Sequence, residues 1–153
     1  MADIVSSGVR SRMMAGIKAK NTKPEILVRK APHAQGYRFR LHRKDLPDKP
    51  DIVLPRFKTV IFVHGCFWHH YKGCKLARLP STRREFWTAK LEANAMRDVS
   101  AHYRLLTLEW GVLTIWECYL KSVSRDALQT DLTHWIFGVE TSGVFTGRPI
   151  AIT

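Results

Sequence analysis

The sequence predicts a single α/β domain in which helices cover a central sheet. Segments with the hydrophobic period of a helix alternate with segments that have the period of a strand, as is usual in such folds. The chain has 153 residues, of which 45% are hydrophobic, so it is long enough for one core. No apolar run reaches the roughly 20 residues of a membrane span, and the N-terminus does not resemble a secretory signal. We therefore expect a cytoplasmic location.

The charge balance is strongly positive and predicts a polyanionic partner. Twenty-five Lys and Arg residues oppose thirteen Asp and Glu residues, which gives a net charge of +12. Such a surface attracts nucleic acid, the commonest polyanion of a cytoplasm. A basic protein of the ribosome would have the same balance, so charge alone leaves both interpretations open.

Two apolar strands form the predicted centre of the domain. The strand candidates are Ile52 to Leu54 and Thr59 to Val63, joined by a short polar segment. If they pair as a hairpin, Asp51 lies opposite Val63 and close to His64. A carboxylate there could hold magnesium, and a neighbouring histidine could move protons near neutral pH. The alternative for an aspartate before a strand is a simple turn residue.

Three helices are expected from capping residues and apolar spacing. Thr22 and Glu25 form a capping box that begins the first helix, which Pro32 should kink or shorten. Ser81 or Thr82 is expected to cap a long second helix, which runs to about residue 109 and ends at the next glycine. The third helix spans about 124–137 and directs its apolar side chains into the core.

Two further strands and both chain ends complete the predicted domain of residues 1–153. Residues 37–43 alternate apolar and basic side chains and are expected to form a half-buried strand. Residues 112–116 form another strand, with Cys118 just past its end. The basic segment 1–20 is either an arm for the DNA backbone or an ordinary surface helix. The tail, 139–153, is expected to be mobile.

The cysteines and histidines after the second central strand predict a metal site. Three cysteines are an odd number, which argues against a disulfide framework in a reducing compartment. Cys66 and Cys74 flank His69 and His70 in one loop, and Cys118 is available from another strand end. Thiolates and imidazoles are the ligands of tetrahedral structural zinc. Buried free thiols are the alternative.

Two aromatic pairs, Phe67–Trp68 and Phe86–Trp87, lie in polar surroundings. Large apolar side chains need a partner surface. In a DNA-binding protein they can wedge between base pairs and unstack a step. Burial against the metal-binding loop is the alternative, which has equal weight for Phe86.

Together these motifs resemble the very-short-patch-repair mismatch endonucleases. The resemblance extends from about Arg10 to Phe137 and is carried by Asn21 to Glu25, Lys49 to Val53, Val60 to His69, Arg84 to Trp87 and Trp116 to Cys118. It implies a restriction-endonuclease-like α/β core, with a mixed central sheet flanked by helices and a structural zinc site. It also implies a magnesium-dependent nuclease that nicks DNA on the 5′ side of the thymine in a T:G mismatch, which arises when 5-methylcytosine deaminates.

The resemblance also implies roles for individual residues. Asp51 and the backbone carbonyl of Val63 would bind magnesium. His69 would be the general base or acid, assisted by His64 and Glu25, and the N-terminal helix would grip the minor groove. Three aromatic residues would insert beside the mismatch: Phe67, Trp68 and Trp87.

Three positions depart from the family pattern. Tyr71 stands where a zinc-binding histidine is usual, so His70 is predicted as the fourth ligand, with a water or the phenol of Tyr71 as alternatives. Asp48 replaces a usual glycine before the active-site strand, and Pro32 interrupts the helix that carries the predicted catalytic glutamate. Each departure is a place where activity could be weakened. The predicted zinc ligands are therefore Cys66, His70, Cys74 and Cys118.

Two functions remain open from the sequence. The first is a mismatch-specific nicking endonuclease that acts as a monomer on duplex DNA, with other repair proteins as further partners and the bacterial nucleoid as its place of action. The second is a zinc-stabilised protein that binds distorted duplex DNA without cutting it. Charge, aromatic residues and zinc fit both functions, and only Asp51, His64 and His69 favour the enzyme. A nuclease for a different mismatch would share this chemistry.

Overall fold

Four helices and five strands follow one another in mixed order along the described part of the chain. The computed structural model describes residues 22–72, 74–138 and 140–146. The helices are α1 (Lys23–Ala34), α2 (Arg84–Thr107), α3 (Glu117–Ser122) and α4 (Arg125–Ile136). The strands are β1 (Arg40–Leu41), β2 (Ile52–Leu54), β3 (Thr59–His64), β4 (Gly111–Trp116) and β5 (Ser142–Phe145). Within these described ranges, no helix is long and apolar enough to cross a membrane.

The strands form one mixed sheet in the order β1-β2-β3-β4-β5. Strands β1, β2 and β3 pair antiparallel, whereas β3, β4 and β5 pair parallel. The parallel pairs need crossover connections, and helices α2 and α4 supply them. The predicted mixed sheet flanked by helices is therefore confirmed.

Alternate residues of the central strands face two different hydrophobic clusters. The first cluster lies against α1, α3 and α4, and its strand residues are Ile52, Leu54, Ile61, Leu113 and Ile115. The second contains Leu105 of α2, and its strand residues are Val53, Val60, Phe62 and Val112. Because successive side chains of a strand point to opposite faces, strands covered on both faces appear as continuous apolar runs in the sequence.

The first helix begins as predicted. The Thr22 hydroxyl accepts a hydrogen bond from the Glu25 N–H at 3.3 Å, which satisfies one of the free amides of the first turn. The helix ends at Ala34, two residues after Pro32. Proline has no N–H to donate to the preceding turn, yet the helix continues through Pro32 and ends just before the left-handed Gly36 (φ 78°), so it is not shortened at the proline.

The long helix α2 differs from the prediction at both ends. Arg83, in a left-handed conformation (φ 54°), is its N-cap residue without a side-chain cap hydrogen bond, so capping by Ser81 or Thr82 was wrong. The helix ends at Thr107. Gly111 does not end it but begins β4, because its N–H donates to the Lys58 carbonyl at 2.8 Å and extends the sheet.

The antiparallel strands also differ from the prediction in detail. The expected strand at 37–43 is reduced to Arg40–Leu41, because Phe39 and Tyr37 pack against the first hydrophobic cluster instead. In the hairpin, Ile52 pairs with Ile61, so Asp51 lies one residue out of the predicted register with Val63. The cause is the connection, a turn of 3-10 helix at Pro55–Phe57 followed by a left-handed residue.

The chain beyond α4 contributes a strand that the sequence analysis missed. Residues 142–145 form β5 beside β4, in a part of the tail for which no strand was predicted. The Val112 N–H donates to the Thr141 carbonyl at 2.9 Å and begins the pairing. The predicted DNA-gripping arm at 1–20 and the last residues, 147–153, lie outside the described residues.

Replacement of Gly143 in β5 is expected to destabilise the fold. A Cβ atom at this position would lie 2.1 Å from the Trp135 Nε1 atom, so strand and helix would have to separate. We expect Gly143→Ala to lower the free energy of unfolding by about 1–3 kcal/mol, as overpacking does elsewhere. Urea unfolding followed by circular dichroism measures the change. The control is Val144→Ala at the exposed neighbouring position. Equal stability of the two variants would contradict the packing.

Candidate active site

A cleft of about 1000 Å³ opens where β3 ends, beside α1 and the loop that follows β3. Its lining includes side chains from α1, from the segment between β1 and β2, and from the loop after β3. The structure thus brings together residues that are far apart in the sequence. All four predicted catalytic residues line the cleft: Glu25, Asp51, His64 and His69.

Two carboxyl groups meet on one side of the cleft. The Val63 N–H donates a hydrogen bond of 2.7 Å to Asp51 Oδ2, and Glu25 reaches Asp51 from α1. Burial, followed by the hydrogen bond to Glu25, raises the pKa of Asp51 well above its ordinary value. Two carboxylates in contact repel each other unless they share a proton or a cation neutralises them. The pair therefore fits a hard divalent cation such as magnesium, which prefers oxygen ligands.

His42 joins this carboxyl pair, and sequence analysis did not single it out. Its Nε2 atom lies 2.6 Å from Glu25 Oε1 and 4.0 Å from Asp51 Oδ1. Glu25, His42 and Asp51 each have one potential ligand atom that lies within 4.8 Å of the other two. The sequence treated His42 as part of a strand, but that strand ends at Leu41 and His42 is left-handed (φ 49°). The signal for it was its place opposite Asp51 in the hairpin of β1 and β2.

Two stacked histidines occupy the other side of the cleft. The rings of His64 and His69 lie 3.7 Å apart with an angle of 3° between their planes. Burial, and then the neighbouring His69, lower the pKa of His64 to about 3, so His64 is neutral at physiological pH. His69 Nδ1 lies 2.7 Å from Asp98 Oδ2 of α2. Sequence analysis missed Asp98, because one aspartate on a charged helix face carries no signal.

The same three residues do not form a metal centre in this arrangement. Ligand atoms of His64, His69 and Asp98 lie within 4.8 Å of one another. However, the lone pair of an imidazole nitrogen lies in the plane of its ring. The lone pairs of face-to-face rings therefore lie in two separate parallel planes and cannot both point at one ion. The arrangement fits proton transfer through His69, whose orientation Asp98 fixes.

Asp48 adds a further carboxyl group to the lining of the cleft. Its backbone is left-handed (φ 58°), the conformation in which glycine has an advantage over other residues. Loss of hydration and then the negative charge of Asp98 raise the pKa of Asp48 above its ordinary value. The position thus has the backbone for which glycine is suited, and the aspartate adds a carboxyl group to those of Glu25 and Asp51 in the lining of the cleft.

The three cysteines converge on a second, separate site. Their sulfur atoms lie within 4.8 Å of one another, and Cys66 and Cys74 are buried whereas Cys118 is partly exposed. Burial raises the pKa of the Cys66 thiol. Sulfur atoms bound to tetrahedral zinc at about 2.3 Å are roughly 3.8 Å apart, a separation that falls within the same limit. The donor set therefore fits zinc.

His70, the predicted fourth ligand, lies outside the group that the three sulfur atoms form. No His70 nitrogen belongs to the group of atoms within 4.8 Å, although its Nδ1 is buried without a hydrogen-bond partner among the described residues. The Tyr71 hydroxyl lies 2.6 Å from Thr146 Oγ1, which is 3.7 Å from Cys118 Sγ. A hydroxyl pair thus lies beside the cluster. Thr146 belongs to the tail, to which the sequence analysis assigned no site residue.

The predicted intercalating residues form one aromatic cluster at the mouth of the cleft. Phe67 and Trp68 line the cleft, and their ring centroids lie 5.6 Å and 6.0 Å from that of Trp87. Phe86 contacts Trp87 and lies under the Arg83 guanidinium at 4.2 Å. Phe86 is exposed, so the alternative that it is buried against the metal-binding loop was wrong.

Comparison with known proteins places the chain beside nucleases that act on DNA. The family model described as DNA mismatch endonuclease Vsr matches residues 2–76. The chain is 46% identical to the type II nicking enzyme V.XorIIP of Xanthomonas oryzae pv. oryzae, over 80% of this chain and 90% of that protein. It is 42% identical to the type II nicking enzyme V.NmeAIP of Neisseria meningitidis, over 80% of this chain and 86% of that protein. It is 38% identical to the DNA mismatch endonuclease Vsr of Escherichia coli, over 94% of this chain and 97% of that protein.

Substitution of Asp48 by glycine is expected to stabilise the fold. A non-glycine residue in the left-handed region costs about 1 kcal/mol, and Asp48→Gly removes that cost together with one charge of the acidic group. Asp48→Asn removes only the charge and tolerates the same backbone, so the difference between the two variants isolates the backbone term. Urea unfolding measures both variants. A glycine variant less stable than the asparagine variant would contradict the left-handed conformation.

Proposed function

This chain belongs to the DNA mismatch endonuclease Vsr family, and from that premise we propose that it nicks one strand of duplex DNA 5′ of the thymine in a T:G mismatch. It is a DNA endonuclease, and therefore a hydrolase. One observation carries the finer proposal, namely that Glu25, Asp51, His64 and His69 line a single cleft. A protein that only binds distorted DNA has no use for this combination of acids and histidines.

Asp51 and the backbone carbonyl of Val63 are the proposed ligands of magnesium. A bound magnesium ion would polarise the scissile phosphate and stabilise the charge of the leaving oxygen. The Val63 N–H holds one oxygen of Asp51, which leaves the other oxygen to face the cleft. Glu25 adds a second carboxylate at the same place and raises the negative charge that attracts a cation.

His69 is the proposed general base or acid. A neutral His69 that donates its Nδ1–H to Asp98 carries its lone pair on Nε2. It can then accept a proton from the attacking water or, once protonated, give one to the leaving oxygen. His64, neutral and stacked on the same ring, excludes water from one face of His69 and limits its movement.

Selection of the mismatch is proposed to rest on the aromatic cluster of Phe67, Trp68 and Trp87. Unstacking a base step costs a few kcal/mol, and it costs less where pairing is already weakened. Aromatic rings that insert into DNA therefore prefer a mismatched step to a regular one. The net charge of +12 supports binding to the phosphate backbone, and residues 1–20 are proposed to grip the minor groove.

The thiol cluster is proposed to hold a structural zinc ion through Cys66, Cys74 and Cys118. His70 stays the predicted fourth ligand, with the phenol of Tyr71 or a water as alternatives. Such a site joins the loop after β3 to α3 and leaves no position for a substrate. We further propose that the protein acts as a monomer in the cytoplasm, at the bacterial nucleoid, together with other repair proteins.

The nuclease proposal predicts that Asp51 is essential for cleavage but not for binding. Asp51→Ala removes a magnesium ligand, so we expect nicking of a labelled T:G duplex to fall by at least about 100-fold. Binding of the same duplex, measured by fluorescence anisotropy, should stay within a factor of about three because the aromatic cluster is intact. The control is Asp45→Ala, which removes an exposed carboxylate that pairs with Arg43.

Two outcomes would contradict the nuclease proposal. Retention of nicking by Asp51→Ala would remove Asp51 from the cation site. Tight binding of the mismatch by the unaltered protein, without nicking in magnesium or manganese, would instead favour the non-catalytic binder of distorted DNA.

The zinc proposal predicts about one zinc ion per chain in the purified protein, measured by mass spectrometry of the metal. We expect Cys66→Ser to lose the metal and most of the thermal stability, because a buried cluster of thiols loses its cation. Loss of zinc in His70→Ala but not in Tyr71→Phe would identify the histidine as the fourth ligand, and the reverse would identify the phenol. Absence of zinc from the unaltered protein would contradict the proposal.

A further inference from the structure

His42 connects two residues of the proposed cation site that come from different parts of the fold. Its backbone N–H donates to the Asp51 carbonyl at 3.3 Å, which continues the pairing of β1 with β2 by one residue. Its side chain turns towards α1, where Nε2 meets Glu25 Oε1 at 2.6 Å. The residue thus holds the strand that carries Asp51 and the helix that carries Glu25 at a set distance.

The short contact defines the chemical role of the imidazole. An ionised carboxylate accepts hydrogen bonds and cannot donate them, so Nε2 of His42 donates to Glu25. A nitrogen that carries a proton has no lone pair for a metal. The same nitrogen lies 4.0 Å from Asp51 Oδ1, so its proton is directed to Glu25 and not to Asp51. His42 therefore acts on the cation through Glu25.

We propose that His42 is a positioning residue of the catalytic cation site, which holds the Glu25 carboxylate in the orientation that the cation needs. Glu25 has a side chain that is only 3% exposed, so it depends on protein groups for its hydrogen bonds. Without His42, the carboxylate would turn towards other partners or crowd Asp51. Hydrogen bonds to ligating carboxylates typically matter for metal affinity by about 10–100-fold.

This inference rests on the cation site of the proposed function, and binding of manganese(II) to the full-length protein tests it. The free ion is measured by electron paramagnetic resonance, so the readout does not depend on nicking. We expect His42→Ala to weaken manganese binding by about 10-fold or more. His42→Gln should stay within about threefold of the unaltered protein, because its amide N–H can still donate to Glu25.

Two further variants control the experiment. His33→Ala removes a histidine from the exposed last turn of α1, away from the cleft, and should bind manganese normally. His42→Asn retains a polar side chain that is too short to reach Glu25, so it should also bind manganese about 10-fold more weakly. It replaces His42→Ala in the test if the alanine variant does not fold. Zinc content and thermal unfolding of each variant report whether the fold is intact.

The outcomes distinguish a failure of the positioning role of His42 from a failure of the proposed cation site. Normal manganese binding by folded His42→Ala or His42→Asn would overturn the positioning role. Equal loss in His42→Gln and His42→Ala would also overturn it, because the imidazole itself would then be the ligand. Equal binding by the unaltered protein and Asp51→Ala would show that manganese does not occupy this cleft, which would overturn the cation site and this inference together.

Discussion

The hydrogen bond from the Val63 N–H to the Asp51 carboxylate is the contact on which the rest of the site depends. It joins the residue before β2 to the end of β3 at 2.7 Å, and so brings an acid from one strand beside the histidine at the end of the other. The hairpin sets this contact, although its register differs by one residue from the predicted one. Glu25 and His42 then assemble around Asp51 because α1 and the end of β1 pack beside the same edge of the sheet.

The end of β3 also explains why two chemically different sites are neighbours. His64 ends the strand, and Cys66 follows two residues later in the loop that carries Phe67, Trp68 and His69. The parallel pairing of β3 with β4 places Trp116 beside His64, so the next residues bring Cys118 to the thiol cluster. A zinc ion at the cysteines would therefore stabilise the loop that carries the proposed general base and two of the three proposed intercalating residues. Structural and catalytic metals would act on one segment.

Local sequence signals predicted the centre of this protein, and long-range packing decided what they missed. The apolar runs of β2 and β3 and the residues between Cys66 and Cys74 could be recognised because their signals lie within a few positions of each other. His42 and Asp98 take their roles from partners 17 and 29 residues away, which no periodicity reports. Strand β5 was missed because its pairing depends on Gly143 making room for Trp135. The helix cap at Arg83 is backbone geometry without a side-chain signal.

The central claim is that this cleft cuts beside a thymine mispaired with guanine. The most direct measurement is the position and rate of nicking on two end-labelled duplexes that differ only in T:G against T:A, with magnesium present. We expect a single cut on the 5′ side of the mispaired thymine, and cleavage of the T:A duplex at least about 100-fold slower, because unstacking a regular step costs a few kcal/mol and unstacking a mismatched step costs less. Equal cutting of both duplexes, or a cut at another position, would contradict it.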